Sequence, residues 1–332
     1  MFLLHSLFIL SLLATHGHAV GFSGITSSAD GHFLAATYPS GNIWTSTNTG
    51  FTWTEEEATN NWVGITSSAN GTKLAAIAEN IWTSSDFGVT WKEHSVGGGS
   101  RGWSSITSSA DGHKLAAVGT GIWTSKDEGM TWAQETVGTG GTKSWYRITS
   151  SNNGNVLIAT GGTGTTPYSQ AGIWKSEDAG TTWTKFKLTA QINQRAPIAS
   201  STNGTKLAAL SGNSVWTSQD STTWKNHTLK SPPVPNPYPT PPAPVGLSYI
   251  TSSADGTQLA VLGSSATKYY IWTSTNSGVN WTAGLVLGPP PNVEGYTGMT
   301  SSADGMELAI SGSDIIWISH DGGITWSLRT VV

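Results

Sequence analysis

Three tryptophans offer the most direct chemistry in this sequence. Trp62, Trp103 and Trp145 each stand three residues ahead of an isoleucine, Ile65, Ile106 and Ile148, in the same local setting. The equivalent positions elsewhere hold Phe22, Arg195, Leu247 and Tyr296. Flat aromatic faces suit the apolar faces of sugar rings, and a guanidinium such as that of Arg147 or Arg195 can bond hydroxyls or clamp an anionic group. A glycan or polysaccharide site is therefore expected on Trp62, Trp103, Trp145, Arg147, Arg195 and Tyr296. The competing expectation is that these rings are packing wedges, since tryptophan is normally largely buried.

Other reactive types are sparse. Hydrolysis of a glycosidic bond needs two carboxyl groups flanking it, and the loop carboxylates free for that work are Glu79, Glu294, Asp314 and the run Glu55, Glu56, Glu57. Solvated loop charge is the plainer reading of these, because carboxylates normally occupy the surface. No catalytic residue is assigned. There is no cysteine, which excludes thiolate nucleophiles, disulfides and cysteine-ligated metals. His32, His94, His113, His227 and His320 lack ligand spacing, so neither metal nor cofactor is expected. Charged residues make up 11% of the chain, against about 25% in an ordinary domain, and the net charge is −4. Without clustered Lys and Arg, nucleic acid is not an expected partner.

A repeat positions these residues. Residues 122 to 132 read IWTSKDEGMTW, a strand, a turn carrying Ser125, Asp127 and Gly129, and a second tryptophan. An Asp side chain can bond the amides of its own turn, Gly accepts positive φ, and tryptophan favours strands, so this is a β-hairpin with a specified tip. It returns at Trp44/Trp53, Trp82/Trp91, Trp174/Trp183, Trp216/Trp224, Trp272/Trp281 and Trp317/Trp326. Those hairpins account for all the tryptophans except Trp62, Trp103 and Trp145. Four strand-like pieces, A to D, make up each repeat; strand A begins at Ile25, Ile65, Ile106, Ile148, Ile198, Ile250 and Met299, intervals of 40, 41, 42, 50, 52 and 49 residues. That period marks blades of a β-propeller. The fold class is all-β, a seven-bladed propeller over residues 20 to 332 with four antiparallel strands per blade. Blades start near residues 22, 62, 103, 145, 195, 247 and 296, and no spare strand is foreseen for an exchanged closing blade.

Asn-Gly and Asp-Gly pairs in most A–B turns, with the boxed C–D turns, absorb every aspartate but Asp314. In a four-stranded meander these two turn sets share one rim. The B–C and D–A connections share the other, which carries the enlarged segments 161–172 and 229–248, the second holding SPPVPNPYPTPPAPV. Variable loops on a rigid scaffold are where function usually resides. The proline run is stiff, reading as a strap or as a ligand for a proline-recognising protein. Residues 1–19 read as a secretory signal peptide, with Phe2 to Ala14 apolar and Gly17 and Ala19 before the cleavage point. Their apolar run is shorter than the ~20 residues a bilayer needs, so a secreted, extracellular monomer without a membrane span is expected. Asn70, Asn203, Asn226 and Asn280 open N-x-S/T sequons and are candidate N-glycosylation sites.

The boxes STNTGFTW, SSDFGVTW, SKDEGMTW, SEDAGTTW, STNSGVNW and SHDGGITW resemble the Asp-box, or bacterial neuraminidase repeat, S-x-D-x-G-x-T-W. The matching box positions are Asn48, Asp86, Asp127, Asp178, Asn276 and Asp321; Asp220 belongs to a shortened copy, SQDSTTW. Asp-box propellers include sialidases, xyloglucan-cleaving glycoside hydrolases, photosystem II assembly factors and sortilin-type receptors. The resemblance implies that the boxes are structural and lie away from the active face. A sialidase would need three clamping arginines and a Phe-Arg-Ile-Pro segment; the chain has Arg101, Arg147 and Arg195 on neighbouring D–A connections but no such segment. The xyloglucan enzymes pair two propellers across a cleft, and this chain supplies one. A non-catalytic, glycan-binding recognition propeller is the expectation, with a glycoside hydrolase as alternative and a protein-binding propeller like the assembly factors as second alternative.

Overall fold

The computed structural model describes residues 21–97, 101–137, 143–163, 172–186, 195–229, 246–265, 268–287, 295–312 and 315–330. Seven antiparallel sheets, each of four consecutive strands, run A-B-C-D in chain order around one axis. Blade 1, for example, comprises Gly24–Ser27, Leu34–Thr37, Gly41–Ser46 and Thr54–Asn60. Blade 7 comprises Gly298–Ser301, Leu308–Ser311, Ile315–Ser319 and Ser327–Thr330. Among the described residues no helix is long and apolar enough to cross a membrane.

The B strands show why these sequences stack. Leu34–Thr37, Leu74–Ile77 and Leu115–Val118 are buried at every position. Successive strand residues face opposite sides of a sheet, so burial on both faces means a neighbouring blade covers each. The repeated Leu-Ala-Ala supplies small side chains where two sheets press on one strand. The core is therefore divided into seven clusters lying largely between blades.

Strand A carries Ile-Thr-Ser-Ser in most blades, and its hydroxyls tie neighbouring innermost strands together. The Thr251 and Ser301 hydroxyls lie 2.7 Å apart, and Ser67 Oγ donates to the Ser27 carbonyl at 2.8 Å. Below them the A–B turns form a closed circuit of backbone bonds. The amides of Ala29, Ala69, Ala110, Asn152, Thr202, Ala254 and Ala303 each donate to the next turn's carbonyl at 2.6–2.8 Å, and Ala303 returns to Ala29. Blade 7 thus joins blade 1 as every other pair joins, reinforced by an apolar cluster that takes in Phe22, Ile25 and Leu34 of blade 1 and Ala309, Ile316 and Ile318 of blade 7. The circuit is made by backbone groups alone, so side-chain patterns in the sequence do not reveal it.

Candidate functional site

Each box is a self-contained hydrogen-bond unit. In blade 3, Ser125 Oγ donates to Asp127 Oδ1 at 2.8 Å and receives the Gly129 amide at 2.9 Å. The Thr131 amide and hydroxyl donate to the two Asp127 oxygens at 2.8 and 2.5 Å, and Trp132 Nε1 reaches the Gly129 carbonyl at 2.9 Å. Glu128 and Gly129 hold φ of 63° and 87°, which explains the glycine. Asp86, Asp178 and Asp321 repeat the unit. Asn48 and Asn276 keep the amide bond to their oxygen, Asn48 now donating from Nδ2 to Thr52. In the short box Asp220 receives the amides of Thr222 and Thr223. The Glu128 amide bonds the His113 carbonyl at 2.9 Å, which seats the box on the A–B turn of its own blade. All box aspartates are thereby spent on structure.

Those bonds fix charge as well. Hydrogen bonds from the Thr131 hydroxyl and amide hold the Asp127 carboxyl below the ordinary carboxylate range, and Asp178 is lowered to about 2 by the same contacts from Thr182. For Asp86 and Asp321 desolvation is the largest single effect and opposes the shift, but the combined hydrogen bonds outweigh it.

The tryptophan platform is corrected by burial. Trp62, Trp103 and Trp145 are 2%, 5% and 2% exposed. Trp145 lies edge-on to Trp174, with centroids 5.9 Å apart, and Trp62 stands likewise to Trp82 at 6.0 Å. Each wedges between two blades, packing its own hairpin's tryptophans against strands of the preceding blade. Phe22 and Tyr296 fill the same place in blades 1 and 7. Burial of Tyr296 pushes its phenol up to about 12. None of these rings can present a face to a sugar. The aromatic column is a packing column because it sits where strand A enters the space between sheets. Where it holds Arg195, Phe186 takes over, edge-on to Trp224 at 5.8 Å.

The arginines fare differently. Arg195 is exposed, with its guanidinium carbon 4.9 Å from the centroid of the Tyr146 ring. Arg147 is half-buried beside it, its Nη1 donating to the Tyr146 carbonyl at 3.2 Å. Two strand-A bulges shape this corner. Register shifts between Trp145 and Arg147 in blade 4 and between Leu247 and Tyr249 in blade 6, and bulges commonly re-aim side chains near sites. Burial raises the Tyr249 phenol, and the Arg147 charge partly opposes that rise, so the two groups feel one another across blade 5. Tyr146, Arg147 and Arg195 thus meet on the rim opposite the boxes, while the Tyr249 ring packs partly against the apolar cluster between blades 6 and 7. Arg101 stacks instead on Trp123, at 5.1 Å.

Tyr146 and Tyr249 stand outside the aromatic column that runs from Phe22 to Tyr296. One residue before the strand-A apolar position the chain reads Gly24, Gly64, Ser105, Arg147, Pro197, Tyr249 and Gly298. That column changes character in blades 4 to 6, and it was the legible signal.

Of the carboxylate candidates, Glu79 is exposed on the B–C turn of blade 2. Glu294 and Asp314 lie outside the described residues, as do the proline run and most of segment 161–172. Glu55 and Glu56 accept bonds from Asn42 and Thr45 within blade 1. Among the described residues no three His, Asp or Glu side chains gather as metal ligands. His94 and His227 bond Thr83 and Thr217, and burial lowers both imidazoles. Asn70, Asn203, Asn226 and Asn280 are all exposed. A cavity of about 240 Å³ lies on the box side between blades 2 and 3. The box rim is therefore less featureless than its structural role implied.

Comparison with known families matches the BNR-Asp box repeat to residues 81–94, the second C strand, its box and the strand that follows. No curated protein sequence matches the chain. Among solved structures, YCF48 from Cyanidioschyzon merolae superposes with a TM-score of 0.63 at 12% identity, covering 92% of this chain and 96% of that one. The Niastella koreensis GH74 enzyme superposes with a TM-score of 0.55 at 14% identity over 94% of this chain, which spans 66% of the enzyme's length. At these identities the likeness is one of fold.

Proposed function

Taking the chain as a seven-bladed β-propeller of Asp-box repeats, we propose that it is an exported, non-catalytic recognition protein. Its ligand is a carboxylated or sulfated glycan, bound at the channel mouth of blades 4 to 6. The observation that carries this reading is the stacking of Arg195 on Tyr146, with Arg147 next to it in the bulged strand. Guanidinium groups recognise planar anions through paired charged hydrogen bonds. Phenol rings offer a sugar an apolar face and a hydroxyl together. In the sequence, residues 164–171, 187–194 and 230–245 are among the longer connections, the kind of segment that often carries function.

Calorimetric titration with polygalacturonate, heparin and neutral xyloglucan tests it. Acidic chains bind and xyloglucan does not, and Arg147→Ala with Arg195→Ala together weaken binding by about tenfold or more, the scale of a lost charged hydrogen bond. Equal binding of the neutral chain, or an unchanged double variant, overturns the proposal. Release of new reducing ends in the same mixtures favours the hydrolase reading instead.

A further inference from the structure

The box rim carries a feature that its structural role does not require. In S-x-D-x-G-x-T-W the residue after glycine points away from the hydrogen-bond unit. At that place stand Phe51, Val89, Met130, Val279 and Ile324, exposed by 59%, 64%, 63%, 61% and 76%. They belong to blades 6, 7, 1, 2 and 3, five neighbours in unbroken order; blade 4 has Thr181 there and blade 5 the short box. Phe87 and Met306 extend the arc, so seven of the nine large apolar side chains most open to solvent among the described residues lie on this rim. Aromatic contacts bridge the blades: Phe51 stacks on His320 at 5.7 Å, and Phe87 lies against Phe33 at 5.5 Å. Scattered exposed apolar residues need no explanation, but a contiguous patch rimmed by polar groups marks an interaction surface.

Two further observations select the occupant. The 240 Å³ recess opens within the arc, lined by Leu74, Thr90, Trp91, His94, Leu115 and Met130 among others. It falls below the range of about 300–1,000 Å³ typical of small-molecule sites, and suits one anchoring side chain. Charge then narrows the choice. The A–B turns and boxes of these five blades hold Asp30, Asp86, Asp111, Asp127, Asp255, Asp304, Asp321, Glu128 and Glu307, and these outnumber Lys73, Lys114 and Lys126 there, Lys92 at the recess and Arg329, whose guanidinium carbon lies 4.7 Å from the Phe51 ring centroid. Lys73 is already paired with Glu128 at 2.9 Å. A like-charged second copy apposed rim to rim, or an anionic membrane, would be repelled.

We propose that this rim docks a second protein whose contact surface combines apolar side chains with lysine or arginine. One apolar side chain of the partner enters the recess between blades 2 and 3, and its cations meet the ring of carboxylates. This surface is separate from the arginine–tyrosine corner, so the two proposals stand or fall apart.

The test uses a fluorescent amphipathic leucine–lysine helical peptide and its leucine–glutamate counterpart, read by anisotropy at two salt concentrations. The lysine peptide binds, the glutamate peptide does not, and Phe51→Ser/Val89→Ser/Met130→Ser weakens binding about tenfold, as loss of buried apolar contact requires. A second variant, Val279→Ser/Ile324→Ser, weakens it too, whereas Val63→Ser/Leu328→Ser, exposed but off the rim, does not. Unchanged thermal midpoints confirm that all three variants fold. Equal binding by wild type and both rim variants overturns the proposal. So does rim-dependent self-association in sedimentation velocity, or rim-dependent sedimentation with phosphatidylglycerol vesicles.

Discussion

Around the channel, blades 7, 1 and 2 treat one position differently from blades 4, 5 and 6. In the first group the residue ahead of the strand-A apolar position is Gly298, Gly24 or Gly64, and at Gly298 and Gly24 the innermost strands close tightly. A Cβ on Gly24 would come 3.2 Å from the Gly64 Cα, and one on Gly298 would come 3.2 Å from Ile25. In the second group the same column holds Arg147, Pro197 and Tyr249. A propeller of near-identical boxes thus has a plain half and a furnished half. The difference teaches that repeat-constant residues build the ring, while a column that breaks the repeat shows where chemistry is placed.

Truncating the wedges gives the largest effect and should spare neither half. Trp62→Ala and Trp145→Ala each remove a fully buried ring, costing about 3–5 kcal/mol, measured by urea unfolding. A Trp145 variant as stable as wild type would return that residue to the list of ligand contacts.

Next comes the column itself. Gly24→Val forces two innermost strands apart and costs about 1–3 kcal/mol, whereas Tyr249→Leu stays within about 1.5 kcal/mol, being apolar and closer to volume-conserving. Equal losses at both sites would dissolve the distinction between the halves.

Acid should act on the whole box rim alike. The turn and box aspartates titrate lower folded than unfolded, so the unfolded chain takes up protons first as pH falls. Their stabilisation is complete above the ordinary value of 3.8 and is lost as pH falls through the folded values, about 2 for Asp178 and Asp255. His94 in blade 2 and His227 in blade 5 are also lowered. Their contribution is complete above 6.5 and declines below it, so thermal midpoints fall gently from pH 6.5 and steeply below 3.8. His94→Gln and His227→Gln each flatten the gentle part, one in each half.

Arg195→Ala should do least to the fold, within about 0.5 kcal/mol because its guanidinium is exposed, while weakening acidic glycan. A large stability loss would make the Tyr146 stack structural.

The ring was legible in the sequence because its cause is local. Ser, Asp, Gly, Thr and Trp at fixed spacing satisfy one another within a single turn, so Asp127 and Trp132 announce their contacts without a tertiary context. The wedges were half legible: the aromatic column from Phe22 to Tyr296 was found, but whether a ring faces a neighbouring sheet or solvent is decided by how strands enter the ring. The Arg195–Tyr146 contact depends on a bulge that inserts Tyr146 into strand A of blade 4, and nothing in composition marks a bulge. The apolar arc was present as the x after each box glycine, a position that the motif itself leaves blank.

The circuit of amides through Ala29, Ala69, Ala110, Asn152, Thr202, Ala254 and Ala303 makes the molecule a hoop with seven equivalent staves. Removing any one stave breaks two joints, and no stave serves as keystone. Melting of such a hoop should be all-or-none, with no blade peeling away ahead of the others.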